Sequence, residues 1–280
     1  MLSLSEKLLL TEFAVKNGIK VFWIEHDRVG PWLTKNPWLS RLRTLSASAM
    51  TICVSELSRK IYIDLGWDPE KTVAIPNGID VERFLPPPPA PPPSLPAARV
   101  EKVEGGLRLG CVCRLSHEKG VDVLIQAVSG LPEVDLTIVG TGSDEGYLRK
   151  LIEQIHASEM LDRERIRIIS YIDDLGEFYR SIDALVLPSR DNDPFGLVAA
   201  EAMACGTPVI VTDQCGIAGH LRDGQDAIVC RADSDLALRE AITRLMDASL
   251  RSRLSENGRA TVKRAFSLSL MIDGYAALLG

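Results

Sequence analysis

Two short apolar runs, residues 185–187 and 209–211, flank a helix whose composition leaves it little choice of position. Apart from Glu201, residues 195–205 are uncharged and nearly all apolar. A helix apolar all round has no solvent face, so this one is expected to be buried. Its ends are legible. Asp193 can accept hydrogen bonds from the first free amides, Pro194 suits the first helical position, and Gly206 can close the last turn. Glu201 is the exception, because a buried carboxylate is costly unless something pairs with it. On one helix, Asp193 and Glu201 would lie roughly 12 Å apart along the axis, at about 1.5 Å per residue. That is too far for two ligands of one metal and suits two carboxylates at opposite ends of one extended, hydroxyl-rich ligand.

The same strand–helix alternation runs through most of the chain, and it implies parallel sheets. Residues 3–18 read as a helix capped by Ser3 or Ser5 and stopped by Gly18. Strands follow at 20–25, 51–54 and 72–75, with a helix from Ser55 to about residue 65. Three strands make a thin sheet, so residues 1–85 form an incomplete unit. Residues 86–96 then hold eight of the sixteen prolines. The stretch 86–104 therefore reads as a semi-rigid linker of polyproline character. From 105 the alternation resumes, with strands expected at 107–113, 134–139, 165–169, 184–187, 208–212 and 226–230. Six parallel strands wound with helices complete a nucleotide-binding type of domain over 105–266. Ligands of such sheets bind outside the carboxyl ends of the strands. A last helix, 267–280, is expected to return toward the amino-terminal unit.

Composition excludes several classes. A net charge of −6 argues against nucleic acid as the main partner. The six cysteines form no Cys-x-x-Cys pair and lie mostly in strand-like apolar contexts, which fits a reduced cytoplasmic protein. No segment reaches the ~18 apolar residues of a membrane span, and the start reads as no signal peptide. His117, His156 and His220 make no metal-ligand spacing with Cys, Asp or Glu.

The strand-end loops hold the residues that could carry chemistry. Arg114 and Lys119 place two cations where a diphosphate would lie beside free amides, or else are solvated surface charges. Gly140 and Gly142 admit either a ligand against the backbone or a tight turn. Tyr171 and Ile172 could offer backbone groups to a base, with packing as the alternative. His26 ends the first strand and would face the cleft between the units. There it could donate to a sugar hydroxyl, shuttle a proton, or simply pack or cap.

Several pieces, taken together and in order, resemble the retaining glycosyltransferases of family 4. They are Ile75-Pro76-Asn77-Gly78-Ile79-Asp80, Arg114-Leu115 with Glu118-Lys119-Gly120, Val139-Gly140-Thr141-Gly142, Leu187-Pro188-Ser189-Arg190, and Pro194-Phe195-Gly196-Leu197 through Glu201 to Gly206-Thr207-Pro208. The resemblance implies the GT-B fold, two Rossmann-like parallel-sheet domains, here with the amino-terminal one incomplete. It implies a UDP- or GDP-linked sugar as donor substrate, with neither metal nor cofactor. In that reading Arg114 and Lys119 neutralise the diphosphate and Glu201 binds the ribose. Asp193 contacts the donor sugar alongside the amides of Phe195, Gly196 and Leu197, and His26 is the cleft histidine. Gly140 and Gly142 then border the nucleotide, and Tyr171 and Ile172 the base.

Three departures stand out. Asp193 occupies a position where the family usually has Glu. Gly219-His220 replaces Pro-Glu after Gly216. The amino-terminal unit is about half the usual length and lacks the opening strand and glycine-rich loop. The expectation is a retaining hexosyltransferase of cell-envelope polysaccharide synthesis. Its acceptor would be a glycan or lipid-linked, and the protein cytoplasmic or peripheral at the inner face of the membrane. The alternative is a nucleotide-sugar-binding fragment whose partner subunit supplies the missing strands.

Overall fold

The computed structural model describes residues 1–84, 106–159 and 165–280. The proline-rich stretch 86–104 lies outside them. The amino-terminal unit opens with α1 (Leu4–Lys16), started by a capping box in which Ser3 accepts from the Glu6 amide and Glu6 accepts from the Ser3 amide. Then come β1 (Phe22–Glu25), α2 (Pro31–Thr34), α3 (Leu39–Ser46), β2 (Met50–Cys53), α4 (Glu56–Asp64), β3 (Thr72–Ala74) and α5 (Val81–Phe84). The three strands are parallel in the order β1-β2-β3. Their core is aromatic: Trp67 meets Trp23 and Tyr62 edge-on, with ring centres 6.4 Å and 5.2 Å away. At the outer edge of β1 the Met1 ammonium donates to the Phe22 carbonyl, and the Ile24 amide donates to the Met1 carbonyl.

The larger unit holds β4 (Leu107–Val112), α6 (Val121–Ser129), β5 (Val134–Val139), α7 (Glu145–Glu159), β6 (Ile166–Ile169), α8 (Leu175–Ser181), β7 (Ala184–Leu187), α9 (Leu197–Cys205), β8 (Val209–Thr212), β9 (Ile228–Cys230), α10 (Asp235–Arg244), α11 (Ala248–Ala265) and α12 (Leu268–Leu279). All six strands are parallel in the order β6-β5-β4-β7-β8-β9. Strands β5, β7 and β8 are buried along their whole length, because helices cover both faces. One core cluster joins α6, α7 and α10 to one face of the sheet. The other joins α8 and α9 to the opposite face and takes in Val54, Ile79 and Phe84 of the amino-terminal unit.

This strand order has one consequence for function. From β4 the chain winds outward through β5 to β6, then returns to β7 beside β4 and winds the other way. The loops after β4 and β7 therefore diverge and leave a crevice at the carboxyl edge, where sheets of this kind bind ligands.

Besides the packing of α5 against α9, three further contacts among the described residues join the two units. Gly216 lies so close to Ser55 and to the Pro194 carbonyl that a β-carbon on it would come within 2.5 Å and 2.1 Å of them. Residues 79 and 267 form a parallel bridge, with the Ile79 amide donating to the Phe266 carbonyl and the Leu268 amide to the Ile79 carbonyl. Helix α12 begins there and lies against residues 75–78, with Gly78 facing the Leu268 backbone and Gly274 facing Ile75. The third contact joins the loop after β1 to the loop after β7. Arg28 pairs with the Asp191 carboxylate, and the Asn192 side chain donates to the Val29 carbonyl at 3.1 Å.

Candidate donor-binding site

The crevice between β4 and β7 is built from two loops that hold each other. After β4, residues 117–119 form a short 3-10 turn, and Gly120 has φ +64°. A β-carbon there would sit 2.2 Å from the Pro188 carbonyl, so only glycine allows this approach. The Arg190 amide donates to the Glu118 carbonyl at 2.9 Å. The Arg190 guanidinium then bonds Asp122 at 2.8 Å, Asp233 at 2.6 Å and the His117 carbonyl at 2.7 Å. Arg190 thus straps three loops of one strand edge into a single frame.

Within that frame the Lys119 ammonium donates to Asp193 Oδ2 at 2.6 Å. The Ser189 hydroxyl donates to the same oxygen at 3.1 Å, and the Ser189 carbonyl accepts from Thr212 Oγ1 at 2.6 Å. Burial pulls the Lys119 pKa down, but the Asp193 carboxylate more than reverses this, so Lys119 is held charged.

Asp193 does not cap α9, as its position before Pro194 led us to expect. Its backbone is extended in a bridge with Cys215, the amide donating to the Gln214 carbonyl and the carbonyl accepting from Gly216. The helix starts only after Gly196, which turns the chain with φ +97°. Asp193 and Glu201 are therefore not on one helix, and the spacing of about 12 Å calculated for one does not describe them. Gly206 does end α9, in the left-handed conformation. Among the described residues, the amides of Phe195, Gly196 and Leu197 donate to no carbonyl or side chain.

Glu201, five residues into α9, accepts from the Tyr179 hydroxyl at 2.9 Å. Burial raises its pKa, partly opposed by that bond and by Arg83. Tyr179 is fully buried on α8, where burial first and the Glu201 charge second keep its hydroxyl protonated.

The remaining candidates fall into two groups. The exposed Arg114 bonds Glu118 at 3.0 Å beside Lys119. His26 is half exposed at the end of β1, two positions before the Arg28 that touches the β7 loop. Gly140 and Gly142 serve a local need: β-carbons on them would lie 1.9 Å from the Cys113 carbonyl and 2.1 Å from the Leu115 carbonyl. What they admit is the chain after β4, held by the Leu115 amide on the Thr141 carbonyl. Tyr171 is exposed, and Ile172 packs at the edge of the second core cluster. Phe195 is buried edge-on against Phe266, while Leu197 is exposed. His220, in the unusual Gly219-His220 pair, also packs edge-on against Phe266, and burial lowers its pKa. Among the described residues, no three His, Cys, Asp or Glu side chains converge as a metal site would require.

Sequence reasoning missed the contacts made by Tyr179, Arg190 and Asn192. Their partners lie 22 to 163 positions away, which no local pattern reports.

Comparisons with known proteins agree with this architecture. Residues 97–261, more than half of the chain, match the family described as Glycosyl transferases group 1, and residues 7–83 match Glycosyltransferase Family 4. The phosphatidyl-myo-inositol mannosyltransferase of Mycobacterium leprae is 34% identical over 76% of this chain and 54% of its own length. The D-inositol 3-phosphate glycosyltransferase of Xylanimonas cellulosilytica is 32% identical over 82% and 57%. The lipopolysaccharide core biosynthesis glycosyltransferase LpsE of Rhizobium meliloti is 34% identical over 59% and 47%. The chain thus spans about half the length of the curated relatives it matches. Among solved structures, Anabaena Alr3699/HepE in complex with UDP superposes with a TM-score of 0.83 at 21% identity, covering 99% of this chain and 76% of that one. The fold is GT-B, with three strands in its amino-terminal sheet among the described residues.

Proposed function

Because the chain belongs to the group 1 glycosyl transferases, we propose that it transfers a sugar from a nucleoside diphosphate, UDP- or GDP-linked, to an acceptor. The observation that carries this reading is the Lys119–Asp193 pair, set where the strand order reverses between β4 and β7. A cation held charged there can stabilise a diphosphate as negative charge builds on it, which assists departure without a metal. Arg114, five residues earlier in the same loop and paired at the surface with Glu118, would join it by exchanging partners. The three amides of residues 195–197 offer donors toward the same ligand.

Glu201, held by Tyr179, is suited to accept from ribose hydroxyls, and Asp193 from the donor sugar. Tyr171 and Ile172 would border the base. His26, on the facing unit, would contact the donor sugar or the incoming acceptor hydroxyl. Retention of configuration, a glycan or lipid-linked acceptor of the cell envelope, and a cytoplasmic or inner-membrane-peripheral setting complete the proposal. The envelope acceptor alone is supported by the names of the lipopolysaccharide core and phosphatidyl-myo-inositol relatives. Among the described residues, no helix is long and apolar enough to cross a membrane.

A second reading is favoured by one observation: among the described residues, the outer edge of β1 bonds only to Met1, beside a sheet of three strands. Such an edge is a template for further strands. The chain would then be a donor-binding portion completed by a partner subunit.

A panel of nucleotide sugars, assayed for hydrolysis and transfer by wild type and Asp193→Glu, separates the two. Turnover by the isolated chain supports transfer. Nucleotide binding without turnover, gained only when a small α/β partner is added, supports the split form.

A further inference from the structure

We propose that Cys111 and Cys113 form a modification site: a dithiol that a peroxide converts to a disulfide, thereby displacing the loop that carries Arg114 and Lys119. Control of donor binding by this step rests on the transfer reading above; the thiol chemistry stands without it. The two sulfurs already touch, 3.8 Å apart. Residues two apart on a strand share a face, and a rise of about 3.3 Å per residue puts their α-carbons roughly 6.6 Å apart. That is near the upper end of the ~4.4–6.8 Å that a disulfide spans.

The two thiols differ in the way such a pair requires. Cys111 is fully buried in β4, between β5 and β7, and its contact with Cys113, followed by burial, keeps it protonated. Cys113 is partly buried, one residue past the strand, and is the one a peroxide meets first. Lys119 lies within electrostatic reach of it: burial lowers the Lys119 pKa, while Asp193 and, less strongly, Cys113 raise it. A neighbouring cation favours the thiolate that attacks. The Cys113 thiolate takes one peroxide oxygen as the O–O bond breaks, giving a sulfenic acid and hydroxide, which regains the thiol's proton as water. The Cys111 sulfur then attacks the Cys113 sulfur, and the sulfenic hydroxyl leaves with the Cys111 proton as a second water. One peroxide is reduced to two waters while two thiols become one disulfide.

Closing the bond moves the chain. The sulfurs must approach from 3.8 Å to about 2.05 Å, and an α-carbon spacing near the limit leaves little of this to side-chain rotation. Cys111 is paired with Ile138 inside a six-stranded sheet, so residue 113 makes the adjustment. The loop is fastened at that same residue. The Cys113 amide donates to the Val139 carbonyl at 3.1 Å, and the Leu115 amide to the Thr141 carbonyl at 2.9 Å. The Cys113 carbonyl lies against Gly140 with no room for a β-carbon between them. Arg114 is the next residue, and the 2.6 Å bond from Lys119 to Asp193 starts from the same loop. Oxidation therefore loosens the cations proposed to hold the diphosphate.

Both cysteines fall on one tryptic peptide, residues 109–114, because Arg108 and Arg114 bracket them. The experiment treats the full chain with one equivalent of hydrogen peroxide, as wild type, Cys111→Ala, Cys113→Ala and Cys230→Ala, the last removing the other partly buried thiol. Peptide mass, UDP affinity by calorimetry and amide exchange over residues 114–120 are measured before oxidation, after it, and after dithiothreitol.

In wild type and Cys230→Ala the peptide is expected to lose two hydrogens, UDP affinity to fall at least about tenfold, and exchange over 114–120 to rise, all reversed by dithiothreitol. Cys113→Ala should show none of these changes. Cys111→Ala should stop at a sulfenic acid trapped by dimedone, without the loss of UDP affinity. Retention of both thiols in the wild-type peptide, or a disulfide that leaves both UDP affinity and exchange unchanged, would overturn the proposal. A wild type that forms the disulfide with raised exchange, yet binds no UDP even when reduced, would overturn the donor reading and leave the modification site standing.

Discussion

The Lys119 ammonium lies 2.6 Å from Asp193 Oδ2 and so closes the gap between the loops that leave β4 and β7. Both side chains are mostly buried, so the pair is at once a structural tie and the proposed phosphate contact. These two roles can be separated. Lys119→Met should destabilise the chain by about 2–3 kcal/mol, below the usual range for a broken buried pair because Lys119 is partly exposed. Adding Asp193→Asn should restore most of that loss in urea unfolding, yet leave nucleoside diphosphate affinity low. Recovery of affinity along with stability would make Lys119 a structural residue only.

Glu201 and Tyr179 set a pH dependence. Burial raises the Glu201 pKa above its ordinary 4.5, so the carboxylate takes up a proton earlier than usual as pH falls. The folded-state value exceeds the unfolded one. Its contribution to stability is therefore full below about 4.5 and lost as pH rises through the folded-state value. Binding runs the opposite way, because ribose hydroxyls need the carboxylate as acceptor. UDP affinity should fall as pH drops toward the carboxylate range. The Tyr179 bond favours the charged form, so Tyr179→Phe should move this acid limb to higher pH, and Glu201→Gln should abolish it. An unmoved limb in Tyr179→Phe, followed by calorimetry across pH, would contradict this assignment.

Asn192 joins the two units from a strained position. Its φ is +45°, its side chain donates to the Val29 carbonyl, and its own carbonyl oxygen Oδ1 is buried without a partner among the described residues. Asn192→Gly loses the hydrogen bond but accepts the backbone; Asn192→Ala loses the bond and strains the backbone. Chemical unfolding should therefore show Ala as the more damaging change by about 1 kcal/mol. The reverse order would mean that backbone strain at this position is negligible.

Two glycines make a matched stability test. Gly140→Ala would place a β-carbon 1.9 Å from the Cys113 carbonyl at φ +149° and should cost more than about 3 kcal/mol. Gly146, in the first turn of α7, has open space where a β-carbon would sit, with nothing within 4 Å of it. Gly146→Ala should raise stability by up to about 1 kcal/mol. Thermal unfolding of both variants checks the contrast, and a mild Gly140→Ala would mean the turn after β5 can yield.

Much of this was legible in the sequence because it depends on local pattern. Apolar runs placed the described strands to within a few residues, and one charge in an apolar helix marked Glu201. Asp193 was misread for a physical reason. Asp-Pro before an apolar run is the signature of a helix start, but a bridge to Cys215 and a cation from a distant loop hold the residue extended. The same limit hid Tyr179 as the partner of Glu201, Arg190 as a strap across three loops, and the buried Lys7–Glu25 pair. Each is a contact between residues far apart in sequence, fixed by the order in which strands pair. Gly140 and Gly142 were visible as glycines, but only the packed backbone shows that they accommodate the chain itself.

The central claim is that the crevice between β4 and β7 holds a nucleoside diphosphate through Lys119. Calorimetric titration of the full chain with UDP and with GDP, in buffer containing EDTA, tests it most directly. Wild type should bind at least one of them, with affinity reduced more than about tenfold, or 1.4 kcal/mol, in Lys119→Ala and in Glu201→Ala. Failure of wild type to bind either nucleotide, or equal binding by a folded Lys119→Ala protein, would contradict it.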